Sequence, residues 1–128
     1  MDWMEFLGWE EEDLDDLRLL GYSYIQQGIY PIALTYFEAL HAINPRQTYD
    51  LHTIGALHLQ MGNGMKSLDF LDRALQLEPH SLDVRLNRAK ALFMLGYRRQ
   101  GLMQVTELEN CEDPKIAAAA AALILAYK

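Results

Sequence analysis

The sequence predicts an all-α solenoid of three helix-turn-helix hairpins, with a short N-terminal helical segment before them and a C-terminal capping helix after them. The first observation is a repeat with a period of 34 residues. Three pairs of residues keep this spacing: Gly21 and Gly55, Gly28 and Gly62, and Pro45 and Pro79. A fixed period of this length is typical of stacked helical repeats. The second observation is that no segment shows the strict alternation of a strand.

A third, more divergent copy of the repeat follows. It has Ala89 and Gly96 at the matching spacing, and its proline comes one residue late, as Pro114. With 128 residues, 51% of them hydrophobic, the chain is long enough for one domain with a core. We divide it into an N-terminal segment (1–13), three repeats that span 14–115 (14–47, 48–81 and 82–115), and a capping helix (116–128).

The N-terminal segment is acidic and aromatic. Trp3, Phe6 and Leu7 recur at helical spacing, which predicts a short amphipathic turn that ends at Gly8. We expect these three side chains to dock on an apolar surface, either of the same chain or of a second copy. The acidic run 10–13 favours the positive end of the next helix dipole, and we interpret it as a solvated helix start, with a binding tail as the alternative.

Each hairpin has its own start and stop signals. The first arm of the first hairpin ends at Gly28, and the second arm has Pro31 in its first turn and ends before Pro45. The second hairpin repeats this pattern around the turn 62–64 and ends before Pro79. Ser81 is a suitable cap for the third hairpin, whose arms are predicted over 82–95 and 98–110, before a last helix over 115–127.

A single hairpin cannot bury its own apolar face, so stability requires that neighbouring hairpins stack. Small residues at the repeated position of the first arm (Gly21, Gly55, Ala89) let the two arms approach closely. Larger residues on the second arm (Phe37, Leu71, Val105) fill the gap between hairpins. Stacking rotates each unit slightly, which predicts that first arms line a concave groove and second arms form the convex back.

The first copy resembles the tetratricopeptide repeat. The resemblance rests on Leu-Gly-x-x-Tyr at 20–24, followed by Gly28, Tyr30, Ala33, Phe37 and Pro45. It covers 14–115, and the third repeat departs from the pattern at Arg88 and Gly101. The resemblance implies a groove that binds other proteins.

A small, acidic, three-repeat chain with a helix on each side also resembles the cytoplasmic chaperones of bacterial type III secretion. The stretches 27–30 and 89–96 are similar to repeats of that group. Its members hold needle or translocator subunits before export, and they often associate through an N-terminal helix. The resemblance therefore implies a secreted protein client, a bacterial cytoplasmic location, and a co-chaperone or homodimer contact through Trp3, Phe6 and Leu7.

The inferred groove is mostly apolar. The candidate client contacts are Tyr22, Ile25, Tyr49, His52, Leu59, Leu86, Lys90, Phe93 and Met94. Aromatic side chains pack against a peptide at small entropic cost, which favours Tyr22, Tyr49 and Phe93 as contacts. For Leu59 and Leu86 a core position is an equal alternative. Lys90 could steer an acidic client.

Other functions are disfavoured. The net charge of −7 argues against nucleic-acid binding, although residues 1–16 carry eight of the carboxylates and the rest is nearly neutral. The single cysteine, Cys111, fits a reducing compartment. The four histidines lack metal-ligand spacing, and no nucleotide-binding or serine-nucleophile motif is present, so we expect no metal, cofactor or enzymatic activity. The apolar run 116–127 is too short to span a bilayer, and nothing resembles a signal peptide.

Two functions remain. The first is an export chaperone whose groove holds an aggregation-prone subunit. The second is an adaptor that joins folded partners through its convex face or its acidic N-terminus. An empty apolar groove favours the chaperone, and a groove filled by the chain's own N-terminus favours the adaptor.

Overall fold

The computed structural model describes residues 2–128, and within them every regular element is a helix. The eight helices are α1 (Trp3–Leu7), α2 (Glu11–Gln26), α3 (Tyr30–Ile43), α4 (Thr48–Gln60), α5 (Gly64–Leu77), α6 (Leu82–Met94), α7 (Arg98–Leu108) and α8 (Pro114–Tyr127). Consecutive helices from α2 to α8 pack against each other, and α4, α6 and α8 also pack as alternate neighbours. The predicted α-solenoid is confirmed.

The same backbone conformation closes each hairpin. Gly28, Gly62 and Gly96 have φ of 75°, 78° and 85°, which is the left-handed region. A side chain there would be strained, so glycine at these positions stops the first arm and turns the chain into the second. The turn geometry therefore follows the 34-residue period directly.

The prolines act between hairpins. Asn44 and Glu78, each followed by proline, end α3 and α5 with nearly identical angles, φ/ψ −134°/85° and −133°/83°. Proline disfavours the helical region for the residue before it, so each second arm ends there. Before α8 the pattern changes: Pro114 is the first helical residue, and the side chain of Asp113 accepts hydrogen bonds from the amides of Lys115 and Ile116.

Small residues allow the arms of each hairpin to meet. A Cβ on Gly21 would lie 2.8 Å from the ring of Phe37, and one on Gly55 would lie 2.7 Å from Leu71. The third hairpin reverses this contact, because the small residue is Gly101 on the second arm and the large one is Phe93 on the first. Val105 is buried as expected, but the ring that presses on the facing helix is that of Phe93.

Within the same chain, the N-terminal segment does not dock through Trp3, Phe6 and Leu7. Met4 and Trp9 pack against the core of the first hairpin, whereas Trp3, Phe6 and Leu7 are exposed. Trp3 and Phe6 form an edge-to-face pair with centroids 5.8 Å apart. Docking on the same chain is therefore made by Met4 and Trp9, and the predicted aromatic face points to solvent.

Helix α8 covers the third hairpin. Ile116 and Ala120 are buried in a cluster with residues of α6 and α7, and Leu123 and Ile124 pack at its edge. The helix thus buries apolar surface that the third hairpin would otherwise expose. Among residues 2–128 no helix has the length and hydrophobicity needed to cross a membrane.

Candidate protein-binding groove

Two hollows lie on the face formed by the first arms. The first, of 430 Å³, lies between α2 and α4, and we call it the N-terminal hollow; its lining is Asp15, Arg18, Leu19, Tyr22 and Tyr49. The second, of 580 Å³, lies between α4, α6 and α8, and we call it the Lys90 pocket; its lining is Ala56, Leu59, Gln60, Asn87, Lys90, Phe93, Met94, Leu123 and Tyr127.

In the N-terminal hollow, Tyr22 and Tyr49 present their rings to solvent, 46% and 49% exposed. The Tyr49 ring lies 6.3 Å from the buried ring of Phe37, so the core supports it from behind. Two aromatic rings on adjacent first arms form a surface that a peptide can cover at small entropic cost.

Arg18 beside these tyrosines is held by a buried carboxylate. Its Nε and Nη2 donate to the two oxygens of Asp50 at 2.8 and 2.9 Å, and its Nη1 donates to Asp15 at 2.9 Å. The hydrogen bond with Asp50 raises the pKa of the Arg18 guanidinium, and burial opposes this less strongly. Asp50 is fully buried. Arg18 therefore ties α2 to α4 and is not free to bind a ligand carboxylate.

The Lys90 pocket is apolar with one cation at its rim. Leu59 and Phe93 form its floor, and no acidic side chain lines it. Lys90 is exposed and makes no ion pair within the described chain. An apolar hollow with an unpaired cation suits a ligand that is apolar and negatively charged.

His52 joins the second and third repeats. Its Nε2 lies 2.8 Å from the amide nitrogen of Asn87, which donates to the neutral ring. Burial lowers the pKa of His52, and Asp83 opposes this weakly. A neutral ring that accepts from Asn87 holds α4 and α6 in register beside the Lys90 pocket. The hydrogen bond therefore links the second and third repeats beside the groove.

The structure sorts the nine predicted contacts into three groups. Tyr22, Tyr49, Lys90 and Met94 are exposed on the first-arm face; Ile25, His52 and Leu59 are half-buried; Leu86 and Phe93 are buried. Leu86 is a core residue beneath α8. Phe93 is only 7% exposed, because its ring stacks on Tyr127 with centroids 4.0 Å apart and planes 5° from parallel. Phe93, which we expected to contact the client, therefore contributes its ring to the lining of the Lys90 pocket and exposes little of it to solvent.

Sequence reasoning missed the contribution of α8. We interpreted this helix as a cap only, yet Leu123 and Tyr127 form one wall of the pocket. The signal was present, since the 34-residue period places Tyr127 in register with Ile25, Leu59 and Phe93. Helix α8 thus occupies the position of a fourth first arm.

Two larger hollows and one smaller hollow of 370 Å³, which is lined by Arg88 and residues of α7, lie outside the groove. One, of 670 Å³, lies on α7 and is lined by Arg98, Arg99, Leu102, Met103, Thr106 and Glu107. The second of the larger hollows, of 560 Å³, lies between the loops before α6 and before α8 and is rich in carboxylates. In the part of the chain that the structure describes, no three His, Cys, Asp or Glu side chains converge as metal ligands.

Known proteins share this architecture. No family model matches the sequence. The chain is 30% identical over 90 residues to anaphase-promoting complex subunit 3 of Schizosaccharomyces pombe. The matched segment covers 70% of this chain and 14% of that protein. The chain therefore spans a small part of the length of this relative.

Solved structures match over nearly the whole chain. The translocator chaperone SycD of Yersinia enterocolitica superimposes with a TM-score of 0.85 at 15% identity, over 96% of each chain. PcrH in complex with the chaperone-binding region of PopD gives 0.85 at 20% identity, over 94% of each chain. The first tetratricopeptide domain of Spaghetti, bound to an HSP90 peptide, gives 0.78 at 14% identity, over 91% of this chain and 94% of that one. The chain therefore has the tetratricopeptide-repeat fold, and its architecture resembles that of the type III secretion chaperones.

Proposed function

We propose that this protein is a chaperone that holds a secreted or assembly-prone subunit, of the needle or translocator class, in its first-arm groove before export. The observation that carries the proposal is the groove itself: two hollows on the face of the first arms, with Tyr22, Tyr49 and Met94 exposed in their linings. Large apolar side chains that are exposed together on one face are typical of a protein-binding surface. The proposal implies a bacterial cytoplasmic protein without enzymatic activity.

Proteins of the same fold support this use of the groove. SycD has been solved with a peptide of the translocator YopD, and PcrH with the chaperone-binding region of PopD. At 16% and 20% identity these likenesses concern the fold. The client class is therefore our inference from the fold together with the apolar lining.

Binding would work by desolvation of a few side chains. An apolar or aromatic client side chain that enters the Lys90 pocket loses contact with water and packs on Leu59 and Phe93. Burial of apolar surface contributes about 25 cal/mol per Å², and a few such anchors dominate most interfaces. Tyr22 and Tyr49 would hold a second anchor in the N-terminal hollow. A client bound in this way would have its own aggregation-prone surface covered.

The test combines co-expression with groove variants. The tagged chain is co-expressed with candidate needle and translocator subunits, and the captured partner is identified by mass. We expect a client that is soluble only in the presence of the chain, and at least a tenfold loss of capture with Tyr49→Glu or Met94→Glu. Met103→Glu is the matched control, because Met103 is 62% exposed but lies on α7, outside the groove. Full capture by both groove variants would refute the proposal.

The second candidate function is an adaptor. It is favoured by the exposed aromatic face of α1 and by the hollow on α7, because both lie outside the groove. An adaptor would retain its partner when Tyr49 or Met94 is replaced, and would lose it with Phe6→Glu or Met103→Glu. The same set of variants therefore separates the two functions.

A further inference from the structure

The Lys90 pocket already contains an aromatic ring that belongs to the same chain. Tyr127, in the last turn of α8, stacks on Phe93 with ring centroids 4.0 Å apart and planes 5° from parallel. The Phe93 ring also presses on the backbone at Gly101, where a Cβ would lie 2.6 Å from it. Both rings belong to the lining of the pocket. Tyr127 therefore covers a part of the Phe93 ring that would otherwise face the pocket.

We propose that the face of Phe93 beneath Tyr127 is a subsite for an aromatic side chain of the client, and that Tyr127 occupies this subsite while no client is bound. The client ring replaces the Tyr127 ring on Phe93, and the last turn of α8 moves aside. The inference rests on the proposed function for the identity of the ligand as a protein client. Displacement of Tyr127 by an aromatic anion can be measured without any client.

The last turn of α8 is held by contacts that a ligand can replace. They are the ring stack on Phe93 and a hydrogen bond from Nε of Arg98 to the backbone carbonyl of Tyr127. Residues 125–128 are exposed, whereas the buried side chains of α8, Ile116 and Ala120, lie nearer its start. Segments with few buried apolar contacts open at low free energy. The turn can therefore move while the rest of α8 still covers the third hairpin.

The chemistry of the pocket favours an aromatic ring that lies beside a negative charge. Stacking on Phe93 requires a flat ring face, which every aromatic side chain has and no aliphatic side chain has. Lys90 lines the same pocket and makes no ion pair within the described residues, so it favours a nearby carboxylate. The sequence neighbours of Tyr127 are Ala126 and Lys128, and neither has an acidic side chain. A client segment with both features therefore makes a contact that Tyr127 lacks, and this difference allows it to displace the tyrosine.

Removal of the tyrosine separates two roles that have opposite effects. If Tyr127 is a wall of the binding site, Tyr127→Ala weakens ligand binding; if it occupies the site, the same change strengthens binding. The probe is anilinonaphthalene sulfonate, an aromatic anion, titrated into the full chain by fluorescence. We expect Tyr127→Ala to bind it at least threefold more tightly than the parent chain, and added Lys90→Glu to cancel this gain. Tyr97→Ala is the matched control, because Tyr97 is 48% exposed but lies outside the pocket.

A second variant loosens the same turn and leaves the pocket lining unchanged. Arg98→Ala removes the hydrogen bond to Tyr127, so it should also strengthen binding of the dye. Circular dichroism and urea unfolding confirm that each variant is folded, since this dye also binds partly unfolded chains. An affinity that neither Tyr127→Ala nor Arg98→Ala raises, or that Tyr127→Ala lowers, overturns the inference.

The preference for an aromatic ring is measured by competition. Phenylpropionate and cyclohexylpropionate carry the same carboxylate, and the saturated ring is the more hydrophobic of the two. A pocket that is only apolar would therefore prefer cyclohexylpropionate. We expect phenylpropionate to displace the dye from Tyr127→Ala at the lower concentration, and the opposite order would refute the aromatic subsite.

Displacement of Tyr127 is observed directly in the parent chain by fluorine NMR after fluorotyrosine labelling. The Tyr127 signal is the one that Tyr127→Phe removes. We expect it to move toward the position of a solvent-exposed tyrosine as phenylpropionate is added. A signal that stays in place while phenylpropionate displaces the dye contradicts the exchange of rings.

Client capture separates this inference from the proposed function. Tyr127→Ala should retain more of a captured client than the parent chain does, whereas Tyr97→Ala should retain the same amount. A captured client together with no gain in dye binding by Tyr127→Ala refutes only this inference. Tighter dye binding by Tyr127→Ala with no client captured by any variant refutes the chaperone and leaves the aromatic subsite in place.

Discussion

The ion pair between Arg18 and Asp50 gives a prediction whose size follows from burial. The Asp50 side chain is fully buried and receives two hydrogen bonds from Arg18, at 2.8 and 2.9 Å. Arg18→Met removes the cation and leaves a buried carboxylate without its charged partner. Removal of one member of such a pair costs about 3–5 kcal/mol. Since a domain of this size unfolds with about 5–15 kcal/mol, the variant should lose a large part of its stability.

The reverse change should cost less. Asp50→Val leaves Arg18 with Asp15 as a partner, at 2.9 Å, and with some access to solvent. The double variant Arg18→Met with Asp50→Val removes both charges, so it should be more stable than Arg18→Met alone. Asp15→Ala is the control, because this carboxylate is 71% exposed and an exposed pair contributes less than about 1 kcal/mol.

Urea unfolding followed by circular dichroism at 222 nm measures all four variants. The free energy of unfolding and its dependence on urea should show Arg18→Met as the least stable, with an unchanged slope. The reasoning fails if Arg18→Met costs less than about 1 kcal/mol. It also fails if the double variant is no more stable than Arg18→Met, because the penalty would then not come from the unpaired carboxylate.

Three further predictions follow. Gly101→Ala should destabilise the fold by about 1–3 kcal/mol despite the better helix propensity of alanine, because its Cβ would lie 2.6 Å from the Phe93 ring. The additional change Phe93→Leu should reduce this loss. Equal urea midpoints for Gly101→Ala and the parent chain would contradict the prediction. Burial disfavours the charged form of three histidines and so lowers their pKa in the folded state: His41, His52 and His58. The free energy of unfolding should therefore be highest above about pH 6.5, the usual pKa of histidine, and should fall as the pH drops below it. His58→Phe should weaken that pH dependence, and a urea midpoint equal at pH 7 and pH 5 in the parent chain would refute it. Deletion of 115–128 should expose the third-hairpin core and lower the melting temperature, and calorimetry that shows no change would exclude a capping role.

The period of 34 residues was sufficient to predict the helices and their stacking. Glycine at the turn and proline between hairpins act through the local backbone, so their effect can be read without knowledge of distant residues. Gly28 and Pro45 accordingly end their helices where the pattern places them. The repeat also identified the first-arm face, which carries Tyr22 and Tyr49, because equivalent arms lie one period apart and line the same side of a stack.

The repeat alone could not predict that Phe93 and Leu86 are buried. The repeat assigns a residue to a face of its helix, but whether that face is open depends on what packs against it. Helix α8 closes the end of the groove over these residues, and Tyr127 reaches Phe93 only because α8 is placed as a fourth first arm. The commitment of Arg18 to Asp50 is of the same kind, since the two residues lie 32 positions apart and on different helices.

Sequence alone therefore determined the helices, their order and the shared face of the first arms, because these depend on local backbone preferences and a fixed period. The tertiary structure decided which side chains of that face are free. It buried Phe93, paired Arg18 and left Lys90 and the ring of Phe6 exposed. Exposure depends on contacts between residues that are distant in the chain, and no local pattern encodes those contacts.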